Sequence, residues 1–177
     1  MIKQRIVLIM VILLFSISSA FADAANGIFN VKDYGAKGDG VTDDTIAIRE
    51  ALKAAYNAGF SVQSPMGVYI TGGPSVIFPG GIYVISDELP LDSYCVKGEY
   101  QAVIKQTNPE KSILVSNYAW QLTIQNITFL GGKNQIDLHN PNLDTGQIVI
   151  DHCRFYNASG FAVITDVLST TVDIKDC

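Results

Sequence analysis

The chain has 177 residues, of which 48% are hydrophobic, 16% charged and 10% aromatic, a globular composition that excludes disordered and collagenous classes. Twelve Lys and Arg against seventeen Asp and Glu give a formal charge of -5, and only two histidines are present. Without a basic stripe for phosphate backbones, nucleic acid is excluded as a partner. In chain order, the first feature is an apolar run at 6–17, preceded by Lys3 and Arg5 and followed by Ser18-Ser19-Ala20-Phe21-Ala22. These charged, apolar and small-residue zones predict a secretory signal peptide over residues 1–22, and the run falls short of the roughly 20 residues a membrane span needs. Residues 23–177 are then one exported domain, secreted, periplasmic or at the cell surface, with membrane contact only through the signal segment. Its removal takes two cations and leaves the remainder more acidic. Cys95, Cys153 and Cys177 are too sparse for a disulfide scaffold.

Phe29-Asn30-Val31 predicts a short strand, and the glycine-rich stretch from Asp33 to Gly40 a loop. A helix is predicted over about 43–58. Asp43 and Asp44 suit its N-terminus as capping carboxylates, Ile48, Ala51, Leu52 and Ala55 share one apolar face, and Gly59 stops it. From Val62 onward short β-branched runs alternate with turn residues, as in Val76-Ile77-Phe78-Pro79-Gly80-Gly81-Ile82-Tyr83-Val84-Ile85.

The runs repeat with a period of about 25 residues. Leu122–Phe129 aligns without gaps on Ile148–Phe155 and then on Val172–Cys177, with a weaker copy at Val96-Lys97-Gly98. Ile124, Ile150 and Ile174 form one apolar column, Ile127, Cys153 and Cys177 a second, and Phe129 with Phe155 a third. Between them, Gly98, Asn126, His152 and Asp176 share tolerance for positive φ, so they predict a recurring sharp bend. Gln125, Asp151 and Lys175 form an outward column in which Asp151 and Lys175 are expected to pair, for about 0–1 kcal/mol. A strand, a bend and a strand at a fixed period predict an all-β solenoid of stacked coils over about 62–177, where a β-sandwich would need no such register.

The segment from Phe29 to Thr45 with the helix after it, the run from Val76 to Ile85, and the Ile-x-Asn-Ile-x-Phe coil at Ile124–Phe129 together resemble the pectate-lyase-like superfamily. That superfamily of right-handed single-stranded parallel β-helices includes polygalacturonases, rhamnogalacturonases and phage tailspike depolymerases. The resemblance runs from about residue 28 to the end, and it implies that the helix caps the N-terminal end of the stack. It also implies a polysaccharide depolymerase on a pectin-like or other acidic glycan, a polygalacturonase-like hydrolase ahead of a lyase. Polygalacturonase-like members carry Asn-Thr-Asp, Asp-Asp, Gly-His-Gly and Arg-Ile-Lys segments. Asp43-Asp44 reads as helix capping and Asn142-Leu143-Asp144 as a turn beside Pro141 and Gly146, so no catalytic residue is assigned within this chain. The last repeat ends at Cys177, before the Phe that closes its two predecessors, so the expectation is an N-terminal portion truncated at its C-terminus. Its catalytic coils would lie beyond Cys177, it would be inactive alone, and its open coil end would favour self-association. A non-catalytic carbohydrate-binding or surface-adhesion β-helix is the alternative function.

The remaining residues are read on their own chemistry. Asp151 and Asp173 sit on adjacent rungs, where two carboxyls about 6.5–9.5 Å apart would suit inverting hydrolysis, but Lys175 beside them favours solvated surface charge. His152 is explained by the bend, and His139 is placed in a loop with no partner. Neither histidine is spaced with a cysteine as a zinc pair. No metal ligand or cofactor is predicted, and calcium would enter only with lyase chemistry, for which no site is identified. Cys153 and Cys177 are expected to stack as free thiols rather than as a disulfide. The sequons at Asn126 and Asn157 are weak signals. Of Tyr69, Tyr83, Tyr94, Tyr118, Trp120 and Tyr156, one or two are expected to face sugar and the rest the core.

Overall fold

A computed structural model describes residues 27–59, 62–63, 69–70, 74–91, 95–119, 121–140, 146–167 and 170–177. The expected signal segment, Asn142, Asp144, Tyr94, Trp120 and the side chain of Tyr69 lie outside the described residues. In chain order, β1 (Ile28–Asn30), a 3-10 turn (Val31–Tyr34) and β2 (Asp39–Asp43) lead into α1 (Thr45–Ala58). Then follow β3 (Val62–Gln63), β4 (Tyr69–Ile70), β5 (Ser75–Phe78), β6 (Gly81–Ile85), β7 (Leu89–Pro90), β8 (Cys95–Gln106), β9 (Leu114–Ser116) and β10 (Gln121–Gly131). The chain closes with β11 (Ile136–Asn140), β12 (Gly146–Asp151), β13 (Arg154–Tyr156), β14 (Val163–Val167) and β15 (Thr170–Lys175).

These strands make a parallel β-solenoid. The main sheet runs β1-β5-β8-β10-β12-β15, a second sheet runs β14-β11-β9-β7, and among the described residues only the short β3–β4 pair is antiparallel. Non-consecutive neighbours follow because each coil carries the chain away and back one rung higher. The repeat read from sequence is the observed register: Ile124 faces Ile150, Ile150 faces Ile174, and Phe129 faces Phe155. Ile124, Ile150, Phe129 and Cys153 are fully buried, and the two phenyl rings stack with centroids 5.5 Å apart. Ile174, on the last described rung, is 51% exposed.

The bend column is confirmed at Asn126, His152 and Asp176, with φ of 56°, 51° and 48°. Gly98 departs from it. Its φ is not left-handed; a Cβ there would overlap the Asn126 carbonyl oxygen, so this glycine answers a close backbone approach. The positive φ falls instead on Tyr100 and Gln101. A second column, unforeseen in sequence, joins Gly131 (φ 77°) and Asn157 (φ 57°), which explains the second sequon by backbone demand. Asp151 does face Lys175 across the rungs, but Lys175 Nζ instead pairs with Asp173 Oδ2 at 2.6 Å, two residues back on the same strand face.

The helix begins two residues later than its sequence suggests, because Asp43 belongs to β2 and pairs with Val84 of β6. The stretch from Asp39, read as loop, is therefore partly an edge strand. Asp44 is the N-cap residue, yet its carboxylate makes no bond to the helix. It accepts from the Lys37 and Gly38 amides at 2.6 and 3.0 Å, clamping the glycine-rich loop. Asp43 Oδ1 takes the first-turn Thr45 amide at 3.0 Å. Ile48, Ala51, Leu52 and Ala55 are buried as expected, packing with Phe29, Val31 and Val76 to close the N-terminal end of the stack. Arg49 fixes the helix sideways, donating Nε to the Glu88 carbonyl at 2.8 Å and pairing with Asp87.

Tyr83, expected as core or sugar-facing, is core: fully buried, edge-on to Phe78, its hydroxyl donating to the Pro79 carbonyl at 2.8 Å. Burial, with the negative charges of Asp44 and Glu99, pushes its phenol up to about 12 from 10.0. The folded state therefore holds this proton more tightly than the unfolded chain does. Its contribution is fully present below pH 10 and is lost as pH rises through about 12. Chemical denaturation between these limits is expected to show stability falling with pH, with a shallower fall in Tyr83→Phe.

Candidate functional site

The bend column opens onto a surface cleft of about 470 Å³. Its floor is built from one turn residue per rung, Asn126, His152 and Asp176, each aimed outward by its left-handed backbone. Thr128 and Arg154 are partners in the β10–β13 register and form one flank, while Lys97 and the segment Gly98–Gln101 of β8 form the other. The cleft thus offers two cations, Lys97 and Arg154, two carboxylates, Glu99 and Asp176, an imidazole and the exposed ring of Tyr100.

His152 is oriented from both sides. Nδ1 meets Asp151 Oδ1 at 2.7 Å, and Nε2 lies 3.9 Å from Asp176 Oδ2. A carboxylate only accepts, so in the neutral ring Nδ1 carries the proton and Nε2 keeps a lone pair on the Asp176 side. Ligand-type atoms of Asp151, His152 and Asp176 lie within 4.8 Å of one another. One nitrogen with two carboxylates is a donor set for a first-row transition metal rather than for calcium, which prefers six to eight oxygens.

Comparison with known proteins gives the fold a family. The model of "Rhamnogalacturonase A/epimerase, pectate lyase-like" matches residues 28–121, more than half of the chain. The chain belongs to that family. The matched stretch holds the cap helix and the Lys97–Gln101 flank of the cleft, and the bend residues that complete the floor follow it in sequence. Alginate lyase 7 of Azotobacter vinelandii is 45% identical over 64 residues, which is 32% of this chain and 8% of that protein. Mannuronan C5-epimerase AlgE5 of the same organism is 57% identical over 47 residues, 25% of this chain and 5% of that one. The chain thus spans less than a tenth of these relatives' lengths. Among solved structures, the surface adhesin PfbA of Streptococcus pneumoniae aligns with a TM-score of 0.42 at 20% identity, covering 72% of this chain and 38% of the adhesin. This is a polysaccharide-related β-helix family.

Within this family member, several residues singled out by sequence fall elsewhere. Asp173 is tied to Lys175 and does not line the cleft. His139 is on β11 rather than a loop and has a partner, its Nε2 standing 2.7 Å from Asp137 Oδ1. Burial raises the Asp137 pKa, but hydrogen bonds from Asn134 and Ser112 and the nearby imidazole together hold it below the usual carboxylate value. Ser112 and His139 both bind Asp137 on separate oxygens, an arrangement that joins rungs without presenting a nucleophile to a base. The three cysteines are free; the Cys153 amide donates to Cys177 Sγ at 3.3 Å, burial pushes the Cys153 thiol up to about 11, and Cys177 is exposed on the last described rung. Tyr118 and Tyr156 are exposed but outside the cleft.

The grouping of Asp151, His152 and Asp176 was within reach of sequence. His152 and Asp176 already share a column, and Asp151 precedes the first of them. What concealed it was that a backbone reason for each residue sufficed. Tyr100 and Arg154 carried no sequence signal of their own, since Arg154 is simply the residue facing Thr128 one rung up.

Proposed function

We propose that this chain belongs to an exported protein acting on an acidic polysaccharide, and that the bend-column cleft is where the polymer is recognised. The observation that carries this is that two cations, Lys97 and Arg154, line one cleft together with the hydrogen-bonding turn residues Asn126, His152 and Asp176. A guanidinium binds a carboxylate through two parallel N–H donors, and a sugar's hydroxyls need the short polar side chains between. The alginate lyase and mannuronan epimerase relatives, with the rhamnogalacturonase and pectate-lyase-like family, support a uronate polymer of the alginate or pectin type. Export is supported by the zones of residues 1–22.

Recognition is the part these residues supply directly. The carboxyl pair that the sequence offered for hydrolysis is not free, because Asp173 is engaged by Lys175 and Asp151 by His152. Titration calorimetry with alginate and polygalacturonate oligomers is expected to show binding that weakens with salt, as exposed charge pairs do. Arg154→Ala is expected to weaken it about tenfold at low salt, the value of one charge-assisted contact. No reducing ends or unsaturated products are expected. Salt-insensitive binding, or binding unchanged in Arg154→Ala, would overturn the assignment. The second reading, favoured by the Asp151–His152 hydrogen bond, is that Nε2 abstracts the proton next to the uronate carboxylate while the glycosidic C–O bond on the adjacent carbon breaks, its oxygen leaving with a proton from water and a C=C bond forming. Release of unsaturated products that is lost in His152→Ala would establish it.

A further inference from the structure

We propose that Tyr100 is the stacking platform of this cleft, placing the apolar face of one sugar ring against its phenol while the charged flank holds that sugar's substituents. This rests on the cleft being a glycan site. The first observation is topological. Lys97 pairs with Gln125 and Ala102 with Ile127, so β8 spends four residues, Gly98 to Gln101, where β10 spends only Asn126. The other rungs turn likewise on a single residue, His152 or Asp176. The ladder itself therefore does not need the extra residues.

What the insertion does is carry one aromatic ring into solvent. Tyr100 is 95% exposed and lines the cleft. It has φ of 43° and is followed by Gln101 at 61°. A bulky L-residue in the left-handed region is a genuine outlier and costs of order 1–3 kcal/mol, persisting only where its surroundings hold it. The hold is visible at Gly80, where an added Cβ would stand 2.6 Å from the Tyr100 carbonyl oxygen, so the β5–β6 turn is cut away to seat this loop. Extra length, backbone strain and a seat on the neighbouring coil all serve a ring that packs on nothing.

The surroundings identify the ligand class. The rest of the cleft lining is polar side chains and one glycine, with no second apolar side chain among the described residues that line it. A protein partner's apolar surface would be met by a patch, not a lone ring. A pyranose has one C–H face and a rim of hydroxyls and carboxylate, which matches a single aromatic plate beside Lys97, Thr128 and Arg154.

The test is the affinity of the unaltered protein, Tyr100→Ala, Tyr100→Phe and Arg154→Ala for alginate and polygalacturonate oligomers at low and high salt. Tyr100→Ala is expected to bind about tenfold more weakly, by the same factor at both salts, because ring stacking is not screened. Tyr100→Phe should bind within about twofold of the unaltered protein. The Arg154→Ala deficit should shrink at high salt. If Tyr100→Ala binds as the unaltered protein does, or its deficit vanishes at high salt, Tyr100 is not the platform, while the cleft assignment stands. If the unaltered protein binds neither oligomer, the cleft assignment fails and takes this inference with it.

Discussion

Gly98→Ala is expected to cost the protein about 3 kcal/mol or more and to abolish glycan binding. The added Cβ would overlap the Asn126 carbonyl and stand 3.0 Å from Ala102 Cβ. Neither obstacle is the flexible end of a long side chain, so relief requires one rung to move against the next. Overpacking of this kind costs about 1–3 kcal/mol even where side chains can yield, and here backbone must. Asn126 is also cleft floor and Gly98 is cleft wall, so the displacement reaches the site directly. Lys53→Ala, on the exposed face of α1, is the control, and a loss below about 1 kcal/mol is expected. Denaturant midpoints of the two variants give the comparison. A Gly98→Ala protein as stable as the Lys53→Ala one would mean that the rungs are not this close.

Phe129→Ala is expected to lose about 3–5 kcal/mol by the same measurement, the usual range for truncating a fully buried phenyl. Phe129 is wholly enclosed within its column, whereas Phe155, stacked on it one rung up, is only partly buried. Phe155→Ala should therefore cost distinctly less, because part of its ring already meets water and the void can drain. Equal losses would argue that the two positions are equivalently enclosed and that the column is misplaced.

The ladders were legible in the sequence because stacking like on like at a fixed period writes the same residue type into the same column. Ile124, Ile150 and Ile174 could be aligned by eye, and their register is the observed one. The helix face was legible for the parallel reason that Ile48, Ala51, Leu52 and Ala55 recur at helical spacing. Elsewhere one residue type satisfied two physical demands. Gly98 fits a left-handed bend or a close approach equally well, and only the neighbouring strand, whose carbonyl fills the space, decides between them. Lys175 had Asp151 across the rung and Asp173 two residues back on its own face, both within a lysine's reach, and rotamer placement selects Asp173. Asp137 and His139 carried a usable sign, alternate positions of one strand sharing a face, that a loop assignment hid. Asp44 has the identity of a capping residue at the capping position, yet its carboxylate serves the loop before it, a choice made by the fold of 37–38 rather than by the helix.

The bend column has a consequence for how such a site can change. At each coil the backbone demands a residue that accepts left-handed φ, and apart from glycine the residues best suited are Asn, Asp and His. Those are also side chains that bind hydroxyls, hold metals and move protons. A mutation that swaps one for another costs the scaffold little, yet alters the functional groups presented on the surface. The geometric requirement that keeps the coils turning thus maintains a row of chemically versatile positions, one per rung, where new specificities can be tried without disturbing the hydrophobic interior.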